Sequence, residues 1–146
     1  MKKNKLIFLL LILICCRDNE NFKTGILYVP LISFLPNKGL SKDKIAEVKK
    51  LCLKNKNNEH NGQEDSLKLF YKKLIFYKLL DKPHIIIKTQ NNETLTIFLN
   101  KKEFKKIEKY LYINTYLKIQ ISLYAKKLNN DLYYSDCITN VKEIKK

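Results

Sequence analysis

The most regular alternation of hydrophobic and polar positions in the chain lies between residues 116 and 125. Five apolar residues occupy every second position there: Leu117, Ile119, Ile121, Leu123 and Ala125. The positions between them hold tyrosine or polar residues. Because successive side chains of a strand point to opposite faces, this stretch predicts a strand with one buried face. Asn129 and Asn130 then predict a turn into a second strand, Leu132 to Val141, and so a long hairpin.

Two shorter runs, His84 to Thr89 and Glu93 to Leu99, predict a second hairpin. In the later run the side chains alternate between two sets: Leu95, Ile97 and Leu99, and Thr94, Thr96 and Phe98. The three aliphatic residues are expected to face the core. A further strand-like run, Thr24 to Leu35, precedes them and is followed by turn residues at 36–39.

Apolar residues at helical spacing predict three helices, over residues 42–54, 66–80 and 101–111. The second is expected to end at Pro83, which cannot continue a helix. The third starts after Asn100, and Glu103 three residues later makes this start resemble a capping box. The polar residues 55–65 between the first two helices are expected to form a loop.

The order of these elements, β-α-α-β-β-α-β-β, predicts an α+β fold. We expect a single small domain over residues 24–146, built as an antiparallel sheet with two β-hairpins and about three helices packed on one face. A chain of 146 residues with 45% hydrophobic and 11% aromatic residues is long and apolar enough to bury such a core.

The net charge of +15 bears on the partners of this domain. A strongly basic protein attracts polyanions such as anionic lipid head groups, nucleic acid or acidic glycans. Arg17 is the only arginine among 29 basic residues, however, and arginine is the residue that binds phosphate through two parallel hydrogen bonds. The sequence therefore disfavours nucleic acid as a partner. The abundance of Lys, Asn and Ile could equally reflect an AT-rich genome.

The first 16 residues combine a lysine cluster with an apolar run. Lys2, Lys3 and Lys5 precede the 11 apolar residues from Leu6 to Cys16. As a helix this run would be about 16 Å long, whereas a bilayer core of about 30 Å needs roughly 20 residues. A stable transmembrane helix is therefore disfavoured, and the pattern is typical of a secretory signal peptide. An uncleaved signal anchor and a secreted form without lipid are the alternatives.

The end of this segment, Leu13-Ile14-Cys15-Cys16, resembles the lipobox of bacterial lipoproteins. The resemblance implies cleavage before Cys16 and diacylation of the Cys16 thiol. The match departs from the usual pattern at Cys15, where most lipoproteins have Ala or Gly, although spirochaetal lipoproteins have loose lipoboxes and a similar Lys/Asn/Ile-rich composition. Cys15 is the second choice of acceptor, because it would put the bulky Ile14 at that small position.

These signals divide the chain into a lipoprotein signal peptide (residues 1–15), a lipidated cysteine with a short tether (residues 16–23) and the basic domain (residues 24–146). Two acyl chains hold a protein stably on a membrane, whereas one holds it marginally. The seven tether residues after Cys16 reach about 23 Å at most. We therefore expect a protein of the bacterial cell envelope, anchored by lipid to the inner or outer membrane and held close to it.

No combination of residues indicates catalysis, a metal or a cofactor. The only histidines are His60 and His84. The predicted loop places three acidic residues near His60: Glu59, Glu64 and Asp65. Such a polar loop makes a poor metal cage, and His84 at the start of a strand is expected to be structural. Asp131 and Asp136 are better explained by exposed turns than as a carboxylate dyad, and nucleotide-binding or nucleophile motifs are absent from the sequence.

Two further cysteines, Cys52 and Cys137, could form a disulfide in an oxidising compartment. The closed loop of 86 residues would stabilise the fold by about 4 kcal/mol in the chain-entropy model. Cys52 is expected to face inward from its helix, whereas Cys137 is expected on the more polar face of its strand. Two buried thiols are the alternative.

The strongest candidate for a binding surface is the outer side of the third helix. Five lysines lie there, opposite Phe104 and Ile107: Lys101, Lys102, Lys105, Lys106 and Lys109. With a short tether they could contact anionic lipid, at about 1 kcal/mol per lysine, although an ordinary solvated face is the alternative. Tyrosines near the final hairpin could form a surface for a protein or a glycan.

The sequence therefore predicts a membrane-anchored domain with a non-catalytic binding or scaffolding role and an unidentified protein partner. A polyanion-binding module is the second hypothesis, and an envelope enzyme is the third.

Overall fold

The computed structural model describes residues 20–29, 35–53, 62–112 and 118–144. The elements in these ranges are β1 (Glu20–Tyr28), α1 (Lys42–Leu53), α2 (Gly62–Phe76), β2 (His84–Lys88), β3 (Thr94–Leu99), α3 (Lys101–Ile107), β4 (Lys118–Lys127) and β5 (Leu132–Ile144). A turn of 3₁₀ helix, Glu108–Leu111, continues α3. The α+β class, the three helices and the two hairpins, β2–β3 and β4–β5, are confirmed.

The five strands close into a small barrel in the order β1-β2-β3-β5-β4. β1 pairs with both β2 and β4, and β3 runs parallel to β5, with Thr96 opposite Leu132. The prediction of an antiparallel sheet is therefore wrong at the β3–β5 pair. Local sequence patterns predict hairpins between neighbouring strands, whereas β3 and β5 are separated by α3 and β4. Closure pairs both edges of the described strands, which removes the exposed edges of an open sheet.

The inward-facing side chains of the strands form one hydrophobic cluster inside the barrel. The alternation predicted for β4 is confirmed there, because Ile119, Ile121, Leu123 and Ala125 are all buried. Leu117 lies outside the described residues. β1 and β2 approach each other closely at Gly25, where a Cβ atom would lie 2.7 Å from the carbonyl oxygen of Lys88. A glycine at this position therefore permits the close contact between these two strands.

The helices pack at two different places rather than on one face, which corrects the prediction. α3 lies at one end of the barrel, and Phe104, Ile107 and Leu111 join the interior cluster. α1 and α2 instead pack on the outside of β3 and β5 and form a second cluster there. Its buried members are Leu35, Tyr71, Leu74, Leu79, Leu80, Phe98 and Leu132.

α2 ends at Phe76, four residues before the predicted end at residue 80. The backbone at Lys78 has a positive φ of 56°. The N–H of Leu79 donates to the carbonyl of Leu74 at 2.9 Å, and the N–H of Lys78 donates to that of Ile75 at 3.1 Å. These two bonds form a Schellman motif, which usually has glycine at the left-handed position. Because lysine occupies it here, the sequence contains no visible stop signal.

β1 begins at Glu20, four residues before the predicted Thr24, so part of the predicted tether belongs to the barrel. In the β1–β4 ladder the backbone of Glu20 lies opposite that of Lys126, at the end of β4. α3 lies between the end of β3 and the start of β4, which is the opposite end of the barrel. With nine residues, β1 is about 30 Å long, and its tilt makes the distance between the two ends somewhat shorter.

Candidate functional site

The five lysines of the predicted binding surface follow a well-defined helix start. The side-chain Oδ1 of Asn100 accepts a hydrogen bond from the N–H of Glu103 at 2.8 Å and caps α3. Phe104 and Ile107 are buried on the barrel side. The lysines on the other side are all exposed: Lys101, Lys102, Lys105, Lys106 and Lys109.

Glu103 ties α3 to the barrel wall. Its side chain is buried, with the residue only 4% exposed, and Oε2 accepts hydrogen bonds from the N–H of Ile138 and from Nζ of Lys106, both at 2.7 Å. Burial opposes ionisation of Glu103, but Lys106 and the Ile138 N–H outweigh this effect and lower its pKa. The Asn100 half of the predicted capping box is therefore confirmed, whereas the Glu103 carboxylate binds β5 instead.

A sixth lysine, Lys38, joins this surface from a segment far away in the sequence. The predicted turn at 36–39 is confirmed, since the N–H of Gly39 donates to the carbonyl of Pro36 at 2.8 Å. Nζ of Lys38 lies 2.7 Å from Oε1 of Glu108. The hydrogen bond and charge of Glu108 raise the pKa of Lys38. We call Lys38 and the five lysines of the α3 segment the basic pole.

The Lys38 turn and α3 enclose a shallow cavity of about 240 Å³. Pro83 and Phe104 are its apolar lining residues, and the charged ones are Lys38, Lys101, Lys105 and Glu108. Within the described residues, salt bridges reach Lys38 and Lys106 but not Lys101, Lys102 or Lys105. The charges of these three lysines are therefore available to an anionic ligand, and the apolar lining could contact the chain or ring that bears the anion.

A second cavity, of about 480 Å³, lies between the end of α2 and the β4–β5 turn. It is lined by Tyr77, Lys78, Leu79, Asp81, Lys82, Leu128 and Tyr134. The hydroxyl of Tyr77 donates to the carbonyl of Leu128 at 2.6 Å. The tyrosines predicted as one surface are dispersed, because Tyr133 is buried inside the barrel and Tyr134 packs against the second cluster.

His84 is buried at the start of β2. His84 is only 2% exposed, and the centroid of its ring lies 5.4 Å from that of the Phe98 ring. Burial lowers the pKa of His84 to about 4, so the imidazole is neutral at pH 7. Among the described residues, its Nδ1 has no hydrogen-bond partner.

The other candidate groups are not assembled in the part of the chain that the structure describes. His60 and Glu59 lie outside it, and within it no three His, Cys, Asp or Glu side chains are placed to hold a metal ion. Asp131 and Asp136 are both exposed.

Cys52 and Cys137 are both half-buried. The thiol of Cys52 lies 3.9 Å from the carbonyl oxygen of Lys68 in α2, at the margin of the second cluster. Cys137 lies opposite Tyr124 in the β4–β5 pair. The disulfide between them stays a prediction.

Comparisons of the chain with protein families, with curated proteins and with solved structures found no match. None of the helices within the described residues combines the length and the apolar character needed to cross a bilayer. Cys15 and Cys16 lie outside the described residues, so the signal peptide and the lipidation remain predictions.

Proposed function

We propose that the chain is a lipid-anchored protein of the bacterial cell envelope whose folded domain is a non-catalytic binding module. The anchor is supported by the lysine cluster, the short apolar run and the lipobox-like residues that end at Cys16. Lipidation makes a spanning helix unnecessary, because a diacylated cysteine is by itself a lasting anchor.

Intact-mass analysis of the protein extracted from membranes tests the anchor. The wild type is expected to lack residues 1–15 and to carry the added mass of acyl chains on Cys16. Cys16→Ala should retain the signal peptide and lose the acyl mass, whereas Cys15→Ala should be processed like the wild type or better, because alanine suits the lipobox. A wild-type protein that keeps Met1 to Cys15 without acyl mass would show that this part of the proposal is wrong.

The basic pole is the proposed binding site, and its proposed ligand is a polyanion. One observation carries this choice: lysines from two distant segments, the 36–39 turn and α3, meet around one cavity at the end of the barrel. An ordinary solvated helix face would require only the lysines of α3 itself. The buried Glu103 fixes α3 against β5, so the lysines of α3 are presented on a rigid element rather than on a loop.

The direction in which the basic pole faces favours a ligand other than the anchoring membrane. β1 starts at the opposite end of the barrel, next to the proposed anchor at Cys16. A chain anchored there would hold the lysines of α3 roughly 20 Å or more from its own bilayer. We therefore propose an acidic polymer of the envelope or its surroundings as the ligand, in place of the lipid head groups expected from the sequence.

The architecture of the barrel is consistent with a binding module. A closed five-stranded barrel in the order 1-2-3-5-4, with a helix between strands 3 and 4, has the topology of OB-folds, which bind oligonucleotides and oligosaccharides. This is an analogy of architecture, and function depends on the site. Here α1 and α2 cover part of the outer face of β3, since Phe98 is buried beneath them. The fold therefore supports the binding of a polymer, but it does not indicate where on the barrel the polymer binds.

Binding of a heparin oligosaccharide to the full chain in neutral detergent, measured over a range of salt concentrations, tests the basic pole. Lys101→Gln combined with Lys105→Gln removes two positive charges beside the cavity. We expect weaker binding and a salt dependence whose logarithmic slope falls by about 2, one unit for each lost lysine contact. Single-stranded DNA and polyphosphate serve as further probes of the ligand class.

The matched control combines Lys49→Gln with Lys50→Gln, two exposed lysines of α1. It changes the net charge equally and should leave the slope unchanged. Equal losses in both double variants would mean that overall charge, and not the basic pole, attracts the ligand. Binding that is insensitive to salt would instead favour the scaffolding hypothesis with a protein partner.

A further inference from the structure

The end of the barrel at which β1 starts presents exposed aromatic side chains to its surroundings. We call this end the tether pole and define it by the start of β1, the end of β4 and the turns at 89–93 and 128–131. We infer that the tether pole lies against the anionic bilayer that anchors the chain, with Phe22 and Phe76 as its contacts at the lipid surface. This inference rests on the proposed lipidation of Cys16.

The position of β1 sets how far the tether pole can lie from the lipid. The strand begins at Glu20, so only residues 17–19 separate it from Cys16. The four Cα–Cα steps from Cys16 to Glu20 span about 14 Å at most, half the number of steps that a strand starting at Thr24 would leave. A lipidated Cys16 therefore holds the tether pole within the depth of the head groups or directly above them.

Phe22 lies two residues into β1, on the outer wall of the barrel. Its side chain is 55% exposed, and its ring meets that of Tyr124 edge-on at 5.5 Å between centroids. The Phe22–Tyr124 pair is two residue pairs along the ladder from the end at which Glu20 lies opposite Lys126. This pair thus provides an aromatic surface beside the proposed anchor.

Phe76, at the end of α2, lies near the other side of the same pole. It is 78% exposed, although its neighbours in α2 help to form the second cluster. Its ring lies edge-on to that of Tyr77 at 5.0 Å, and the Tyr77 hydroxyl is bonded to Leu128 in the β4–β5 turn. Phe76 is therefore connected through Tyr77 to the turn that follows β4.

The chemistry of the tether pole suits the surface of an anionic bilayer. Aromatic side chains favour the interface between lipid and water, where exposed phenylalanines lose contact with water without entering the core. The basic residues of this pole are Lys23, Lys126 and Lys127, and the acidic residues of its two turns are Glu93 and Asp131. Lys78, which lines a cavity with Tyr77 and Leu128, adds a further positive charge beside Phe76. Lys126 and Lys127 are exposed at the end of β4, next to Phe22 and Tyr124 in the barrel wall. Head-group phosphates can pair with them while the aromatic rings contact lipid.

The anchor also decides between a bilayer and a second protein as the occupant of this surface. A partner protein would have to enter a gap of about 14 Å or less between the barrel and the lipid. In the inferred arrangement the anchoring bilayer fills this gap and contacts Phe22 and Phe76 without a further partner. The basic pole at the other end of the barrel then faces away from the membrane.

Tryptophan fluorescence tests the inference, because the chain contains no tryptophan of its own. Phe22→Trp and Phe76→Trp each introduce a single reporter into the full lipidated chain, which is reconstituted into vesicles of phosphatidylcholine and phosphatidylglycerol. Both are expected to shift their emission to shorter wavelength relative to the protein in detergent-free buffer lacking lipid. Brominated phospholipid in the vesicles should quench both at least about twofold. The control is Tyr112→Trp, a residue that is 68% exposed beside the basic pole, which should keep its emission.

The outcomes separate this inference from the proposal on which it rests. Vesicle-bound protein whose reporters at 22 and 76 stay unquenched would overturn the inference and leave the anchor intact. If mass analysis finds no acyl chains, the same reporters in the unlipidated chain are titrated with excess vesicles. A shift supports a lipid-binding tether pole, and its absence overturns it. A shift that grows with protein concentration without vesicles would assign this surface to a second copy and overturn it as well.

Discussion

Replacing Phe98 with alanine should lower the free energy of unfolding by about 4 kcal/mol. Phe98 is fully buried, and it lies on the outer side of the barrel, where it joins Leu74, Leu79 and Leu132 in the second cluster. Truncation would remove the aromatic ring on which α2 packs and leave a cavity that rigid strands cannot fill. Urea unfolding monitored by circular dichroism measures the loss. Hydrogen exchange should show that α1 and α2 lose protection before the barrel does.

Phe76→Ala is the matched control, because it deletes the same side chain at an exposed position. It removes one edge-on contact with Tyr77 and should cost less than about 1 kcal/mol. Equal losses in the two variants would contradict the burial of Phe98 beneath α1 and α2.

Glu103→Ala should lower the free energy of unfolding by about 3 kcal/mol. The variant loses a charge-assisted hydrogen bond and leaves the buried N–H of Ile138 without its acceptor. Because this bond joins α3 to β5, the variant should also weaken polyanion binding at the basic pole. Urea unfolding gives the first effect and the heparin titration gives the second.

Two companion variants identify the cause of the Glu103 effect. Glu103→Gln keeps an acceptor for Ile138 and should cost about 1 kcal/mol, whereas Glu108→Ala breaks only the exposed pair with Lys38 and should cost less than that. Folding lowers the pKa of Glu103, so its stabilisation is complete above pH 4.5 and is lost as the pH falls through the lowered pKa. The difference between wild type and Glu103→Gln should therefore shrink in acid. A difference that is constant with pH would contradict an ionised Glu103.

The two ends of the barrel have different proposed roles in an anchored domain: the tether pole contacts lipid and the basic pole binds the ligand. The tether pole combines exposed phenylalanines with the exposed lysines at the end of β4, whereas the basic pole carries six lysines, three of which line a cavity. Lipid contact at one end would orient the domain and present the other end outward. The two sets of experiments are independent, since lipid quenching and polyanion binding depend on different residues.

Much of the secondary structure follows from the local sequence. The alternation in β4, the two hairpins and the cap at Asn100 are encoded by neighbouring residues, and the structure has them where the pattern predicts. The end of α2 could not be predicted, because Lys78 takes the left-handed conformation that usually marks glycine. Phe98 could not be assigned either, because its burial depends on helices that come earlier in the chain and pack over β3.

The candidate site was predictable only in part. The lysines of α3 are visible as one side of a helix, but Lys38 reaches the same cavity only because the 36–39 turn folds against α3. Glu103 has the spacing of a capping box, and its actual partner, Ile138, lies on a strand 35 residues later. Such contacts depend on tertiary packing, and no periodic pattern in the sequence indicates them.

The sequence by itself determined the class of the fold, the hairpins and the helix that carries the lysines, because periodicity, capping and short motifs are local properties. Export and lipidation are predicted from motifs of the same local kind. Only the tertiary structure decided that the sheet closes through a parallel β3–β5 pair, that Phe98 and Glu103 are buried, and that the basic pole and the tether pole lie at opposite ends of the barrel. The physical reason is that these features depend on which distant surfaces bury each other. In this chain, the packing of distant segments also determines that the lysines of the basic pole lie at the end of the barrel opposite the start of β1.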